Sequence, residues 1–201
     1  GESWLLVGDI GDNARQRGVT SPACQLLLIK EPKLDALASA STGREFSIDV
    51  VRTIKFEFPD GPHDCECLAV ETTCKQILLV TKTGPFKCAL YSLPLNLTAG
   101  TETSKAKRVT PISATFATAM DLSPDGRKLA IVNMLGGVLL TRKDPQKDSW
   151  ADASMNFLTT LTLPNRKQGE SVCFTADGNS LLLNSEGALQ PLWQIDLKHR
   201  E

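Results

Sequence analysis

Aromatic residues are scarce in this chain of 201: seven Phe, three Trp and one Tyr, 5% in all. The three Trp fall in different parts of the sequence, which leaves little for stacking on the faces of a surface glycan. Histidine is scarcer still. Of the two, His199 lies beside the C-terminus, and His63 alone assembles no nucleophile–His–acid set; there is no GxSxG elbow either. Charge of one sign is also lacking: 22 Lys and Arg meet 23 Asp and Glu, a net charge of −1, which argues against nucleic acid as a partner. No apolar run approaches membrane-spanning length. The longest, Leu129 to Leu140, is broken by Asn133 and by Gly136-Gly137. The six Cys (24, 65, 67, 74, 88, 173) are too scattered for a disulfide framework. Cys65 and Cys67 alternate across Glu66 and share a strand face; without CxxC spacing they read as small apolar residues packed in a core, not as a zinc site with His63.

What the sequence does contain is a repeat. ECLAVETTCKQILLVTK begins at Glu66, TAMDLSPDGRKLAIVNM at Thr118 and ESVCFTADGNSLLLNSE at Glu170, spaced by 52 residues each time. Each copy is an apolar strand, a tight turn (72–75, 124–126, 176–179) and a second apolar strand. A period near fifty with several short strands per unit predicts an all-β chain, a β-propeller of four-stranded blades, with units near 4–58, 66–112, 118–163 and 170–197 forming one domain. Trp4–Val7 matches the second strand of a unit. The expectation is therefore a propeller incomplete at its N-terminus, a fragment needing one or more preceding blades; the chain opens GESWLLVGDI, without Met or signal peptide.

In chain order, strands are expected at 4–9 and 24–30, and a polar connection at 31–45 with a brief helical turn at 33–40. Phe46–Phe58 alternates as an outer strand, and further strands follow near 66–70, 76–82 and 87–93. Pro94–Lys107 reads as an exposed loop carrying a sequon at Asn96. Strands near 117–123, 128–133, 137–142 and 157–163 make the third unit, and 170–175, 180–185 and 191–197 the last.

Propeller geometry then places the polar groups. The loop entering an inner strand and the loop leaving the second strand open on one face. His63, Asp64, Glu66, Gln168 and Glu170 stand at inner-strand entrances; Asp9, Asp12, Asn13, Lys82, Asn133 and Glu186 follow second strands. All eleven are expected around one mouth of the channel. Converging carboxylate and amide oxygens suit a hard cation such as Ca²⁺, held by Asp64, Glu66, Glu170 and Glu186. Paired carboxylates equally suit general acid–base work, with Glu66, Glu170 and His63 as catalytic candidates. Asp9, Asp12, Asn13, His63, Lys82, Asn133 and Gln168 are the candidate ligand contacts. A plainer account stands beside these: Asp9 and Asp12 cap a turn, and Glu66 and Glu170 pair with basic neighbours.

GDIGDN (Gly8–Asn13), PDGPHDCECLAV (Pro59–Val70), Thr81-Lys82, LSPDGRKLA (Leu122–Ala130) and QGESVCFTADG (Gln168–Gly178) followed by Ser185-Glu186-Gly187 together resemble a group of uncharacterised, exported bacterial β-propeller proteins. That group is distantly similar to esterase-like phytase propellers. The resemblance implies an extracytoplasmic protein with further N-terminal blades. Its motif residues fall on Asp9, Asp12, Asn13, His63, Asp64, Glu66, Lys82, Gln168, Glu170 and Glu186. Cys65, Cys67 and Asn133-Met134 depart from it. Two functions follow: a propeller whose acidic mouth binds a small ligand through a divalent cation and hydrolyses an ester or phosphoester, or a non-enzymatic scaffold that binds protein or surface glycan through its rims.

Overall fold

The computed structural model describes residues 2–33, 47–85, 87–95 and 102–197. All but the first residue of the helical turn expected at 33–40 lies outside them, as do the sequon at Asn96 and His199. Four sheets, antiparallel but for one short parallel pairing, make four blades of a β-propeller. The first blade comprises β1 (Trp4–Asp9), β2 (Cys24–Lys30) and β3 (Val50–Glu57). The second holds β4 (Cys65–Glu71), β5 (Gln76–Thr81), β6 (Cys88–Pro94) and, as its outer strand, β8 (Lys107–Ile112). Between the last two, β7 (Ser104–Lys105) pairs in parallel with β3 and fastens the second blade to the first. The stretch expected as one long loop from Pro94 therefore contributes β7 and the start of β8. The third blade is β9 (Ala119–Leu122), β10 (Lys128–Val132), β11 (Gly137–Thr141) and β12 (Leu158–Leu161); the fourth is β13 (Ser171–Phe174), β14 (Ser180–Asn184) and β15 (Trp193–Asp196).

The second strands of blades two and three, β5 and β10, are almost wholly apolar because each is covered on both faces. In β5, Leu78 and Val80 face the third blade while Ile77 and Leu79 face the first, and all four are fully buried. In β10, Leu129 and Ile131 pack toward the second blade and Ala130 toward the fourth. Period-2 geometry turns a continuous apolar run into two cores. β1 lacks this protection: it is an edge strand, and Leu5 and Val7 are exposed.

Equivalent turns close the repeats. Ser123 accepts from Gly126 N–H and Thr175 from Gly178 N–H, each through its carbonyl at 2.8 Å, while both hydroxyls donate to an Asp two residues on at 2.6 Å. Gly126 and Gly178 have φ near +70°, where a Cβ is penalised. The one helix described, α1 (Trp150–Asn156), is seven residues long and sits between β11 and β12. Its N-cap Ser149 accepts from Asp152 N–H at 3.1 Å and donates to the Asp152 carboxylate at 2.8 Å.

All six cysteines are free. Cys24 and Cys65 lie in the core between blades one and two, Cys67 and Cys88 in the core between two and three. Cys65 and Cys67 do not share a face as expected, because a register shift between them turns them to opposite sides of β4. Burial pushes the Cys24 thiol up to about 11 and Cys65 and Cys67 higher still, so these sulfurs stay protonated packing groups.

Candidate functional site

β9 packs between β4 and β13, so the inner strands of three successive blades adjoin one another. The repeat is visible at hydrogen-bond level. Lys82 N–H donates to Asp64 C=O at 2.7 Å, and Glu186 N–H to Gln168 C=O at 2.9 Å. Each bond ties the exit of a second strand to the entrance of the inner strand beside it, bringing the flanking side chains together.

A cavity of about 330 Å³ opens at these entrances, lined by Gly8, Ile10, Gly11, Cys65, Glu66, Leu68, Thr118 and Glu170. Lys82 Nζ donates to both oxygens of Glu66 at 2.8 Å. Partial burial works against the Lys82 charge, but the Glu66 hydrogen bonds, the Glu66 charge and the more distant Asp64 and Glu170 outweigh it. The ammonium's pKa is raised. Interaction with the Glu170 carboxyl, first by hydrogen bonding and then by its charge, raises the Glu186 pKa. Gln168 Nε2 also donates to Glu170 at 3.2 Å. The cavity therefore carries one carboxylate neutralised by a lysine and, beside Glu170, a Glu186 carboxyl that holds its proton more tightly than an isolated acid would.

The other predicted residues divide. Asp12 is buried; its backbone N–H donates to Asp64 Oδ1 at 2.7 Å, and its carboxylate accepts from Gln16 N–H at 2.8 Å and Arg17 N–H at 2.9 Å. Asp9 pairs with Arg17 and accepts from Gln25 Nε2 at 3.0 Å; hydrogen bonds from these two hold its pKa below the ordinary value. Both aspartates line, with Asn13, a separate cleft beside the turn that they organise. Asn133 is spent on structure: Nδ2 donates to Thr115 C=O at 2.7 Å, and Oδ1 accepts from Leu135 N–H at 2.9 Å and Gly136 N–H at 2.8 Å. His63 stands apart from the carboxyl group of residues. It lies at the seam between the first two blades, 3.0 Å from Asp60 Oδ1, edge-on to Phe58 and 3.3 Å from Tyr91 Oη.

Calcium requires oxygens with free lone pairs converging on one point. Among the described residues no group of three or more His, Cys, Asp or Glu forms such a set. The reason is visible: Lys82 donates to both oxygens of Glu66, Asp64 Oδ1 accepts a backbone N–H, and Glu170 accepts from Gln168 Nε2. The donors present do not fit a calcium cage.

Sequence reasoning missed Phe116, Met134 and Leu135. With Lys82, Thr115, Thr118 and Asn133 they line a second, largely apolar cavity of about 360 Å³. It shares Thr118 with the first cavity, and Lys82 joins the two through Glu66. It also missed Arg166, which is buried and donates from Nη2 to Asn133 C=O at 2.8 Å. Nothing in the local pattern of either set marks it; only the loops' meeting in space does.

No protein-family model and no curated protein sequence matches the chain. Solved structures do. The periplasmic gluconolactonase of Pseudomonas aeruginosa aligns with 98% of this chain and 55% of its own, at 12% identity and a TM-score of 0.51. A putative 6-phosphogluconolactonase from Bacteroides uniformis aligns with 88% of this chain and 48% of its own at 10% identity and 0.48, and TolB from Acinetobacter baumannii with 89% and 36% at 12% and 0.48. The chain thus spans between about a third and just over half of these proteins. At such identities the likeness is one of fold, the β-propeller, and no helix among the described residues is long and apolar enough to cross a membrane.

Proposed function

We propose that this propeller binds a small, hydroxyl-rich ligand at the mouth formed by Glu66, Lys82, Glu170 and Glu186, and hydrolyses an ester or lactone bond there. The observation that carries the reading is the convergence of Glu66 and Glu170 on one cavity beside the Lys82–Glu66 pair, with Glu186 close enough to Glu170 for the two acids to interact and the Glu186 pKa to be raised. A carboxyl whose pKa is raised, set beside a second carboxylate, can serve as the acid to its neighbour's base. In this scheme Glu170 takes a proton from the attacking water, whose oxygen bonds to the acyl carbon. The bond from that carbon to the leaving oxygen then breaks, and Glu186 supplies the proton that releases an alcohol. Lys82, held by Glu66, provides positive charge beside the developing oxyanion. The reading uses no metal, since Lys82 already neutralises Glu66. An extracytoplasmic setting, as in the gluconolactonase described as periplasmic, agrees with it.

The test is hydrolysis of δ-gluconolactone and 4-nitrophenyl acetate across pH, with and without chelator. Glu170→Gln and Glu186→Gln should each lower kcat/KM by about 100-fold or more. Glu186→Gln should also remove the limb of the pH profile on which rate falls as Glu186 deprotonates. Absence of both turnover and binding for either compound rejects the reading.

A further inference from the structure

The apolar cavity beside the mouth is built on two loops. Phe116 lies in the connection from β8 to β9, Met134 and Leu135 in the turn from β10 to β11. All three side chains are exposed, Leu135 by 90% and Phe116 by 52%. Exposed apolar groups on flexible loops ordinarily fold down onto the surface, but here both loops are braced. Asn133 joins them, donating to Thr115 C=O on one and accepting from Leu135 and Gly136 N–H on the other. Phe116 N–H donates to Thr83 C=O at 2.8 Å, and its backbone has φ +48°, a left-handed conformation unfavourable for an aromatic residue. The fold accepts that strain and still leaves the ring half in water, an arrangement that accumulates at ligand sites.

We propose that this slot is a second subsite of the mouth and takes the apolar acyl or alkyl arm of an amphiphilic ligand whose hydroxyl-rich head lies at Glu170 and Glu186. The inference rests on the proposed function above and names the substrate class: esters joining a polar alcohol to an apolar acid. Continuity assigns the occupant. Lys82 lines the slot while its ammonium grips Glu66 of the mouth, and Thr118 lines both cavities. A ligand spanning the two therefore passes Lys82 at its junction, where the ester carbonyl of such a molecule belongs. A free hydrocarbon would leave the carboxyl groups unused, and a polyol alone would leave the slot wet.

The test uses a stable stand-in pair that differs only in the arm: methyl β-D-glucoside and n-octyl β-D-glucoside, titrated calorimetrically below the micelle concentration of the latter. Each buried methylene is worth about fourfold in affinity, so an arm partly covered by the slot should bind about 10- to 100-fold more tightly than the methyl compound. Leu135→Asn and Phe116→Ser should collapse that ratio toward one. Met155→Asn, which removes an exposed apolar side chain from α1, should preserve it. Glu170→Gln should weaken both glucosides alike. Equal affinities for the two glucosides overturn the subsite and leave the reading of the mouth standing. Octyl glucoside binding that ignores Glu170→Gln overturns the link between slot and mouth, and binding of neither compound rejects both.

Discussion

Lys82 Nζ lies 2.8 Å from each carboxylate oxygen of Glu66, so the mouth carries its own cation. An acidic ring around a propeller channel invites a divalent ion in principle, but here the strongest local positive charge is covalently attached. Both side chains keep about a quarter of their surface in solvent, so the pair is worth about 1 kcal/mol or less in stability. Its consequence is for metal binding. Millimolar Ca²⁺ should leave the melting temperature unchanged in the native protein and raise it in Lys82→Met, where Glu66 joins Glu170 and Glu186 without a counter-charge. A calcium-dependent rise in the native protein, measured by calorimetry, would show that the ion displaces the lysine.

A second ion pair lies deep in the seam between blades two and three. Glu71 at the end of β4 is fully buried and pairs with Arg142, accepts from Trp150 Nε1 at 3.1 Å, and accepts from Gln76 Nε2 at 2.5 Å. The Arg142 guanidinium sits 4.1 Å from the Trp150 ring centre. Burial lowers the Arg142 pKa, the cost of a charge kept from water. Removing one partner strands the other, so Glu71→Leu and Arg142→Met should each cost about 3–5 kcal/mol, and the double variant less than the sum. Additive losses in a denaturant-melt cycle would mean that the two side chains do not act as a pair.

The propeller was legible in the sequence because its period is physical. Ser123 and Thr175 occupy equivalent places and close their turns with the same bonds, and Asp64 and Gln168 each receive a backbone N–H from the strand exit beside them. The same register sets Glu66 and Glu170 at equivalent strand entrances, and both line one cavity. His63 could not: its ring is drawn to Asp60, Phe58 and Tyr91 between blades, a preference set by aromatic neighbours outside the repeat. α1 carried a signal that went unread, Ser149 followed three residues later by Asp152, a cap pattern hidden in a polar loop. Asp12 followed the plainer account, as a turn cap, because two backbone N–H groups reach its carboxylate before any ligand could.

Asp121 on β9 predicts a pH dependence with a definite sign. Burial raises its pKa, although Phe174 N–H donates to it at 2.7 Å across the seam to the fourth blade. A carboxyl with a raised folded-state pKa favours folding while protonated. That contribution is present below the unfolded value of about 3.9 and is lost as pH rises through the folded pKa. Asp121→Asn keeps an oxygen for Phe174 N–H and removes the charge, so it should melt higher than the native protein at pH 7 and about equally at pH 3. A lower melting temperature for Asp121→Asn at pH 7 would assign the carboxylate a charged partner.

Arg166 poses the opposite problem, a buried cation with no acid paired to it among the described residues. Its guanidinium donates from Nη2 to Asn133 C=O, while Nε and Nη1 make no hydrogen bond among the described residues, and burial lowers its pKa. The group is pressed against the backbone of Gly169: a Cβ there would stand 2.4 Å from Cζ and 2.6 Å from Nη1. One hydrogen bond contributes about 1 kcal/mol, less than the usual cost of burying an uncompensated charge. Arg166→Met should therefore be neutral or stabilising. Gly169→Ala should destabilise the native protein by displacing the guanidinium, and should be tolerated better when combined with Arg166→Met, whose flexible, uncharged side chain can move aside. Chemical denaturation of the four proteins in the cycle decides the matter. A loss of about 2 kcal/mol or more in Arg166→Met alone would mean that the guanidinium finds partners in solution, and the two substitutions would then fail to rescue one another.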